Sequence, residues 1–218
     1  MPDKPVIVLV PGAWSALEAR SFTVHVPSLP TNNGARPPNS SYEADVSAVG
    51  TVLSSLVNAG KDVFVLMHSY GGAVGTDAVR GLARRDREAG GLPGGVVHML
   101  FLAGYLLARG QSVWDAVWGM YHDLDPEDQE EQKCLVMPNA LACTYGEVAY
   151  EAWRDIPSTY VRTTADRWVP PVYQDICVAN ARDAGVPLSV EVFHYGHSVY
   201  MKYPNEMADL VVKATEST

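Results

Sequence analysis

Hydrophobic positions in this chain fall into short continuous runs, separated by stretches where they recur every three or four residues. Val6 to Val10 is unbroken apolar sequence. Asp62 to Leu66, Val96 to Leu102, Ser158 to Thr163 and Leu188 to Phe193 are β-branched or apolar runs of strand length, and Phe22 to Val26 reads as the strand after the first. Between them, Asp45 to Asn58 sets Val46, Val49, Leu53, Leu56 and Val57 on a helical repeat. Asp45 would lie at its cap or in its first turn, and Gly60 would end it. Gly72 to Arg84 predicts a second helix with Arg84 and Arg85 at its dipole-favoured C-terminal end, and Glu206 to Ala214 a closing one. Strands alternating with helices predict an α/β fold, a mostly parallel sheet covered by helices on both faces.

Composition narrows the function classes. The 218 residues suffice for one domain with a full core, and no linker-like or repeated tract divides them. With 16 basic and 25 acidic side chains the net charge is −9, and no basic stripe is present to neutralise phosphates, which argues against nucleic acid. Asp3 and Lys4 precede an apolar run of only Val6 to Val10, too short for a signal peptide or a membrane span. Cys134, Cys143 and Cys177 cannot all pair and lack metal-ligand spacing. Reduced thiols and a cytoplasmic location are expected, with a Cys134–Cys143 disulfide as the alternative. Neither paired histidines at helical spacing nor a carboxylate cluster supports a metal.

The segment that carries chemistry is Val65-Leu66-Met67-His68-Ser69-Tyr70-Gly71-Gly72. A serine on a tight turn from strand to helix is forced out of regular hydrogen bonding with its Oγ exposed, and a following glycine lets the helix pass close to the strand. That describes a nucleophile elbow, where the N–H of the next residue, here Tyr70, also helps to hold an oxyanion. The usual pattern is G-x-S-x-G, and Met67 replaces its first small residue. The plainer reading is an N-cap serine before an ordinary helix start.

A serine nucleophile needs a base and a carboxylate that orients the base, and on such a fold they follow in the order acid, then histidine. Asp166 falls in a loop just after the Ser158 to Thr163 strand, before Pro170 and Pro171. His197 follows Gly196 just beyond the last strand. His194 rivals His197 but ends a strand without a flexible glycine beside it. Asp155, Asp175 and Asp183 rival Asp166, the first preceding the strand and the others lying in helix-like sequence. His68 and His98 read as structural residues, and His25 and His122 have no partner pattern.

Four segments together resemble the α/β-hydrolase superfamily, in its small esterase and hydroxynitrile-lyase-like branch with plant methyl esterases and fungal relatives. They are Val8-Leu9-Val10-Pro11-Gly12-Ala13-Trp14, His68-Ser69-Tyr70-Gly71-Gly72, Asp166-Arg167-Trp168-Val169-Pro170 and Gly196-His197-Ser198, and they span almost the whole chain. The resemblance implies Ser69 as nucleophile, Asp166 as acid and His197 as base, with the backbone N–H groups of Ala13 and Tyr70 as the oxyanion hole. It implies acyl transfer without a cofactor on a small, largely apolar ester or lactone. A serine at that position is unlike the epoxide and haloalkane hydrolases of this fold, which use a carboxylate.

Residues 104–157 separate two core strands by far more than a crossover needs. The resemblance makes this insertion a cap over the serine, with residues 1–103 and 158–218 as the core. Trp14, Trp114, Trp118, Tyr121 and Trp168 are the candidate pocket residues, and the acidic run Asp123 to Glu131 would be a solvated outer helix. The departures are specific. Pro11-Gly12 stands where relatives carry His-Gly. Only Ser15 to Ser21 separates the oxyanion loop from the next strand, where a crossing helix of about ten or more residues is normal. Residues missing from the sequence near Trp14–Phe22 and Trp118–Met120 are therefore expected, a lost helix being the alternative. Other activities stay open on the same triad: cyanohydrin, retro-aldol or cyclase chemistry, or a receptor that kept the fold. The sole cap lysine, Lys133, lies in acidic sequence, which argues against cyanohydrin cleavage. A homodimer through the cap is the assembly considered.

Overall fold

A computed structural model describes residues 4–10, 15–35, 39–118 and 143–216. Six strands are formed: β1 (Val6–Val10), β2 (Val24–His25), β3 (Asp62–His68), β4 (Gly95–Leu102), β5 (Ser158–Thr163) and β6 (Leu188–Phe193). Every pairing is parallel, in the order β2-β1-β3-β4-β5-β6. Among the described residues the helices are α1 (Ser15–Glu18), α2 (Tyr42–Asn58), α3 (Gly71–Ala78), α4 (Arg84–Ala89), α5 (Val113–Trp118), α6 (Pro171–Asp183), α7 (Val199–Lys202) and α8 (Pro204–Glu216), with a 3-10 turn at Ala152–Arg154.

Apolar runs become central strands because both faces are covered. Val8, Val10, Val63, Val65, Met67, Met99 and Phe101 point to one side, where they pack with Val49, Leu53 and Val57 of α2, Val74 of α3 and Cys177 of α6. The alternate residues Ile7, Leu9, Phe64, Leu66, Leu100 and Leu102 meet Leu17 of α1 and Met207, Leu210 and Val211 of α8 on the other. A parallel sheet also places every strand's C-terminal end on one edge. Ser69, Ala103 to Tyr105, Asp166 and His197 all follow strand ends, so topology alone delivers them to the same rim. Strand order reverses between β1 and β3, and a ligand crevice is expected beside such a switch point. Ser69 directly follows β3.

Several boundaries differ from expectation. The α2 helix starts three residues earlier than Asp45, because Ser41 is its N-cap and accepts from the Ala44 N–H at 3.3 Å. Asp45 lies in the first turn, the second of its two expected places, and is buried. The helix expected from Gly72 to Arg84 is two helices. Gly81 turns the chain at φ 75°, so Arg84 opens α4 instead of ending α3, and it pairs with Asp62 at 3.0 Å. The second strand shrinks to Val24–His25, and Phe22 packs in the core without pairing. The one-turn α1 closes with Arg20 N–H on the Leu17 carbonyl at 3.0 Å and Ser21 N–H on the Glu18 carbonyl at 2.9 Å. The first expected omission, near Trp14–Phe22, falls partly on residues 11–14. Residues 11–14 and 119–142 lie outside the described residues, and with them Ala13, Trp14, Tyr121, Lys133, Cys134, the acidic run and the second expected omission.

On the 104–157 stretch, Ser112 and Asp115 cap α5 reciprocally, Asp115 accepting from the Ser112 hydroxyl at 2.7 Å. The returning chain is tied to α3, since Asp77 accepts the N–H groups of Ala149 at 2.9 Å and Tyr150 at 2.8 Å. Val148, Ala152, Trp153 and Ile156 belong to the core cluster, and the Trp153 indole donates to the Leu107 carbonyl at 3.1 Å. Among the described residues no helix is long and apolar enough to cross a membrane.

Candidate active site

Ser69 adopts φ 54°, a left-handed conformation that costs a non-glycine residue about 1–3 kcal/mol. The surroundings enforce it. Its N–H donates to the Leu102 carbonyl at 3.2 Å, and its own carbonyl accepts from Tyr105 at 3.1 Å and Gly72 at 2.9 Å. The Tyr160 hydroxyl holds the adjoining loop by donating to the Gly104 carbonyl at 2.9 Å. Gly72 is compulsory: a Cβ there would lie 2.6 Å from the Tyr105 carbonyl oxygen. The same accounting explains Met67. A Cβ on Gly75 would lie 2.7 Å from the Met67 Cγ, so α3 supplies, one turn on, the space that a small residue before the serine would leave.

Tyr70 precedes the first turn of α3, where backbone N–H groups find no partner inside the helix and the helix dipole is positive. Its ring packs edge-on to Tyr42, centroids 6.3 Å apart, and its hydroxyl donates to Asp45 at 3.0 Å. Asp45 is fully buried and also accepts from the Thr31 N–H at 2.9 Å and hydroxyl at 2.6 Å. Burial, then Cys143 and Asp45 beside it, push the Tyr70 hydroxyl well above the ordinary tyrosine range, so it stays protonated. Cys143 is a buried thiol against this ring, and Cys177 a buried thiol against Tyr173.

Asp166 and His197 meet directly: Nδ1 of His197 lies 2.8 Å from Oδ2 of Asp166. An ionised carboxylate only accepts, so Nδ1 carries the proton and Nε2 keeps its lone pair. The Asp166 Oδ1 accepts N–H bonds from Trp168 at 2.8 Å and Val169 at 2.9 Å, and Oδ2 accepts the Thr163 hydroxyl at 2.9 Å. Burial alone would raise the Asp166 pKa. The His197 hydrogen bond and the two backbone N–H groups outweigh it, and the carboxyl lies below its usual range. The rivals fall elsewhere: Asp155 accepts from Tyr150 at 2.6 Å, Asp175 pairs with Arg162, Asp183 is exposed, and His194 contacts Thr164 at 3.1 Å.

His68 joins the serine turn to the base. Its Nε2 lies 3.0 Å from the His197 carbonyl oxygen, which can only accept, so His68 carries its proton on Nε2. The two rings are 4.4 Å apart, and Tyr200 packs edge-on from the other side at 5.0 Å. Burial, reinforced by His197, lowers the His68 pKa to about 4 and keeps it neutral at pH 7. His98 is a core residue, stacked 5.1 Å from Phe64 and bonded to the Thr159 hydroxyl at 2.9 Å.

Of the candidate pocket residues, Trp114 is half-buried with its ring 4.8 Å from Tyr145, and Trp168 is 78% exposed. The Trp118 side chain lies outside the described residues, as do Trp14 and Tyr121. Thr163, Gln174 and Asp45 escape a reading of motifs, since a threonine ending a strand and a glutamine inside a helix carry no local signal of their role.

A model of the alpha/beta hydrolase family matches residues 7–212. A fungal relative, "Alpha/beta hydrolase nvfD" of Aspergillus novofumigatus (strain IBT 16806), is 24% identical and aligned over 96% of this chain and 94% of its own. "Probable hydrolase R7" of Phoma sp. (strain ATCC 20986 / MF5453) is 23% identical over 96% and 98%. The first alignment spans 249 residues against the 218 of this chain, so the relative has segments lacking here. An extracellular alpha/beta-hydrolase from a Paenibacillus species, described as homologous to tobacco salicylic acid binding protein 2, superposes with a TM-score of 0.69 at 19% identity, covering 96% of this chain and 98% of that one. A polyneuridine aldehyde esterase mutant does so with a TM-score of 0.64 at 14% identity, covering 97% and 99%.

Proposed function

The chain belongs to the alpha/beta hydrolase family, and from that premise we propose that it is a serine hydrolase, an esterase or lactonase acting on a small, largely apolar carboxylic ester through an acyl-enzyme. The observation that carries this reading is the pairing of a strained serine at the β3–α3 turn with a His197–Asp166 couple on the same rim.

In the proposed mechanism His197 Nε2 takes the Ser69 proton as Oγ attacks the carbonyl carbon. Asp166 balances the imidazolium without itself being protonated. The oxyanion forms at the N-terminus of α3, held by the Tyr70 N–H and, by resemblance, that of Ala13. His197 then returns the proton to the departing alcohol, and water repeats the sequence on the acyl-enzyme. Residues 104–157 act as the cap over a core of 1–103 and 158–218, with Trp114 and Trp168 among the residues proposed to line the pocket. The buried thiols Cys143 and Cys177 fit the cytoplasmic location proposed with it.

Turnover of p-nitrophenyl acetate by the wild type, Ser69→Ala and His197→Ala proteins tests the reading. Release reduced by about three orders of magnitude or more in both variants is expected. Equal release from all three would leave Ser69 without a role in acyl transfer. Product analysis with methyl esters and lactones then separates hydrolysis from lyase or cyclase chemistry on the same residues.

A further inference from the structure

Behind the acid lies a polar cluster that neither the family motifs nor the mechanism above uses. Gln174 sits on the inner face of α6 between Tyr173 and Cys177 and is fully buried, as is Thr163 at the end of β5. A buried amide among apolar neighbours is costly unless its hydrogen bonds are satisfied. Each bond here has a donor and acceptor fixed by chemistry. The Thr163 N–H can only donate, so the atom 2.9 Å from it is Oε1 of Gln174. The Val169 carbonyl, at 2.7 Å, and the Thr163 carbonyl, at 3.2 Å, can only accept, so the atom facing them is Nε2. The amide has one orientation.

That orientation reaches the acid through Thr163. Gln174 Nε2 has two hydrogens: one goes to the Val169 carbonyl at 2.7 Å, and the other is shared between the Thr163 Oγ1 at 3.1 Å and the Thr163 carbonyl at 3.2 Å. A hydroxyl that accepts from one side must aim its own proton elsewhere. The nearest acceptor is Oδ2 of Asp166 at 2.9 Å, the oxygen that faces His197, whereas Gln174 Oε1 is 3.5 Å away. Gln174 Nε2 also stands 3.4 Å from that same oxygen. Each carboxylate oxygen thus receives two close donors: Trp168 and Val169 on Oδ1, Thr163 and His197 on Oδ2. The carboxyl plane has no freedom left.

We propose that Thr163 and Gln174 are positioning residues for the reaction, a directed chain from the Gln174 amide through the Thr163 hydroxyl that fixes Asp166 Oδ2 on His197 Nδ1. The inference rests on the proposed triad. It assigns to α6 the task of orienting the acid and ties the turn after β5 to the helix behind it. Removing the Thr163 donor leaves His197 as the one close donor on Oδ2, which makes that oxygen more basic and raises the proton affinity of the His197–Asp166 couple.

The test is a pH profile and an NMR signature on Thr163→Val, which keeps the shape and loses the hydroxyl, with Thr163→Ser as the conservative rescue and Gln174→Met as a second break in the chain. For Thr163→Val, kcat on p-nitrophenyl acetate should fall on the order of ten- to a hundredfold, with the acid limb of kcat/KM displaced to higher pH. The downfield Nδ1–H resonance of His197 should move in Thr163→Val and Gln174→Met and return in Thr163→Ser. A folded Thr163→Val protein with the wild-type acid limb and resonance would overturn the proposal. The wild type tests it without any variant, since a Thr163 hydroxyl proton in rapid exchange with water would contradict the directed chain. If the wild type instead shows no Ser69-dependent turnover, the triad reading fails, while the resonances still report on the Gln174–Thr163–Asp166 chain.

Discussion

At Ser69 the fold accepts a left-handed backbone and surrounds it with fixed bonds from Leu102, Tyr105 and Gly72, so the strain is held rather than relaxed. His68, its neighbour, donates to the main chain of His197, linking the turn that carries the serine with the loop that carries the base. His68→Leu should therefore lower kcat by about tenfold with little change in KM, since it displaces His197, the proposed base. Steady-state kinetics on a soluble ester check this, and an unchanged kcat would detach His68 from the positioning of His197. At this scale the serine, acid and base were all candidates from spacing and loop context. The partners of Asp166 were not, because Thr163 and Gln174 come together only when β5 and α6 pack. Asp45 was read as a cap or first-turn residue and lies in the first turn, but its bonds from Thr31 and Tyr70 were not legible, for the same reason.

Elements place these residues through backbone contacts that tolerate little. The α3 helix passes Tyr105 so closely that Gly72 has no room for a methyl group. Gly72→Ala should cost about 1–3 kcal/mol, as overpacking does, and should lower esterase activity as well, because the displaced backbone also positions Tyr70. Urea unfolding and p-nitrophenyl ester turnover measured on the same preparation check both halves, and wild-type values in both would refute the close packing. Strand ranges were legible in the unbroken apolar run Val6–Val10, in the β-branched and aromatic run Ser158–Thr163 and in the alternating run Leu188–Phe193. Helix ranges were less so. Periodicity ran through Gly81, where a positive φ ends one element, and it overlooked Ser41, whose side chain caps α2.

In the whole molecule, two buried histidines on the same face of the sheet, His68 at the end of β3 and His98 in β4 beside Phe64, set a shared dependence on pH. His68 and His98 are both lowered to about 4, in each case chiefly by burial. The unfolded chain takes up protons at both as pH falls through about 6.5, the folded chain only near 4, so stability present at neutral pH is lost across that window. The loss should amount to roughly 1.4 kcal/mol per pH unit for each histidine. Urea midpoints at pH 6.5 and 4.5 test this. His98→Asn should flatten the slope, and an equally steep one in that variant would place the dependence elsewhere. The parallel sheet and its covered faces were readable from alternating patterns across the chain.

Intact-mass analysis after brief mixing with p-nitrophenyl acetate, quenched in acid and followed by peptide mapping, tests the central claim most directly. One acetyl group on Ser69, absent from Ser69→Ala and formed far more slowly in His197→Ala, is the predicted result. A full burst of p-nitrophenol with the acetyl group on another residue, or with Ser69→Ala labelled as fast as the wild type, would contradict it.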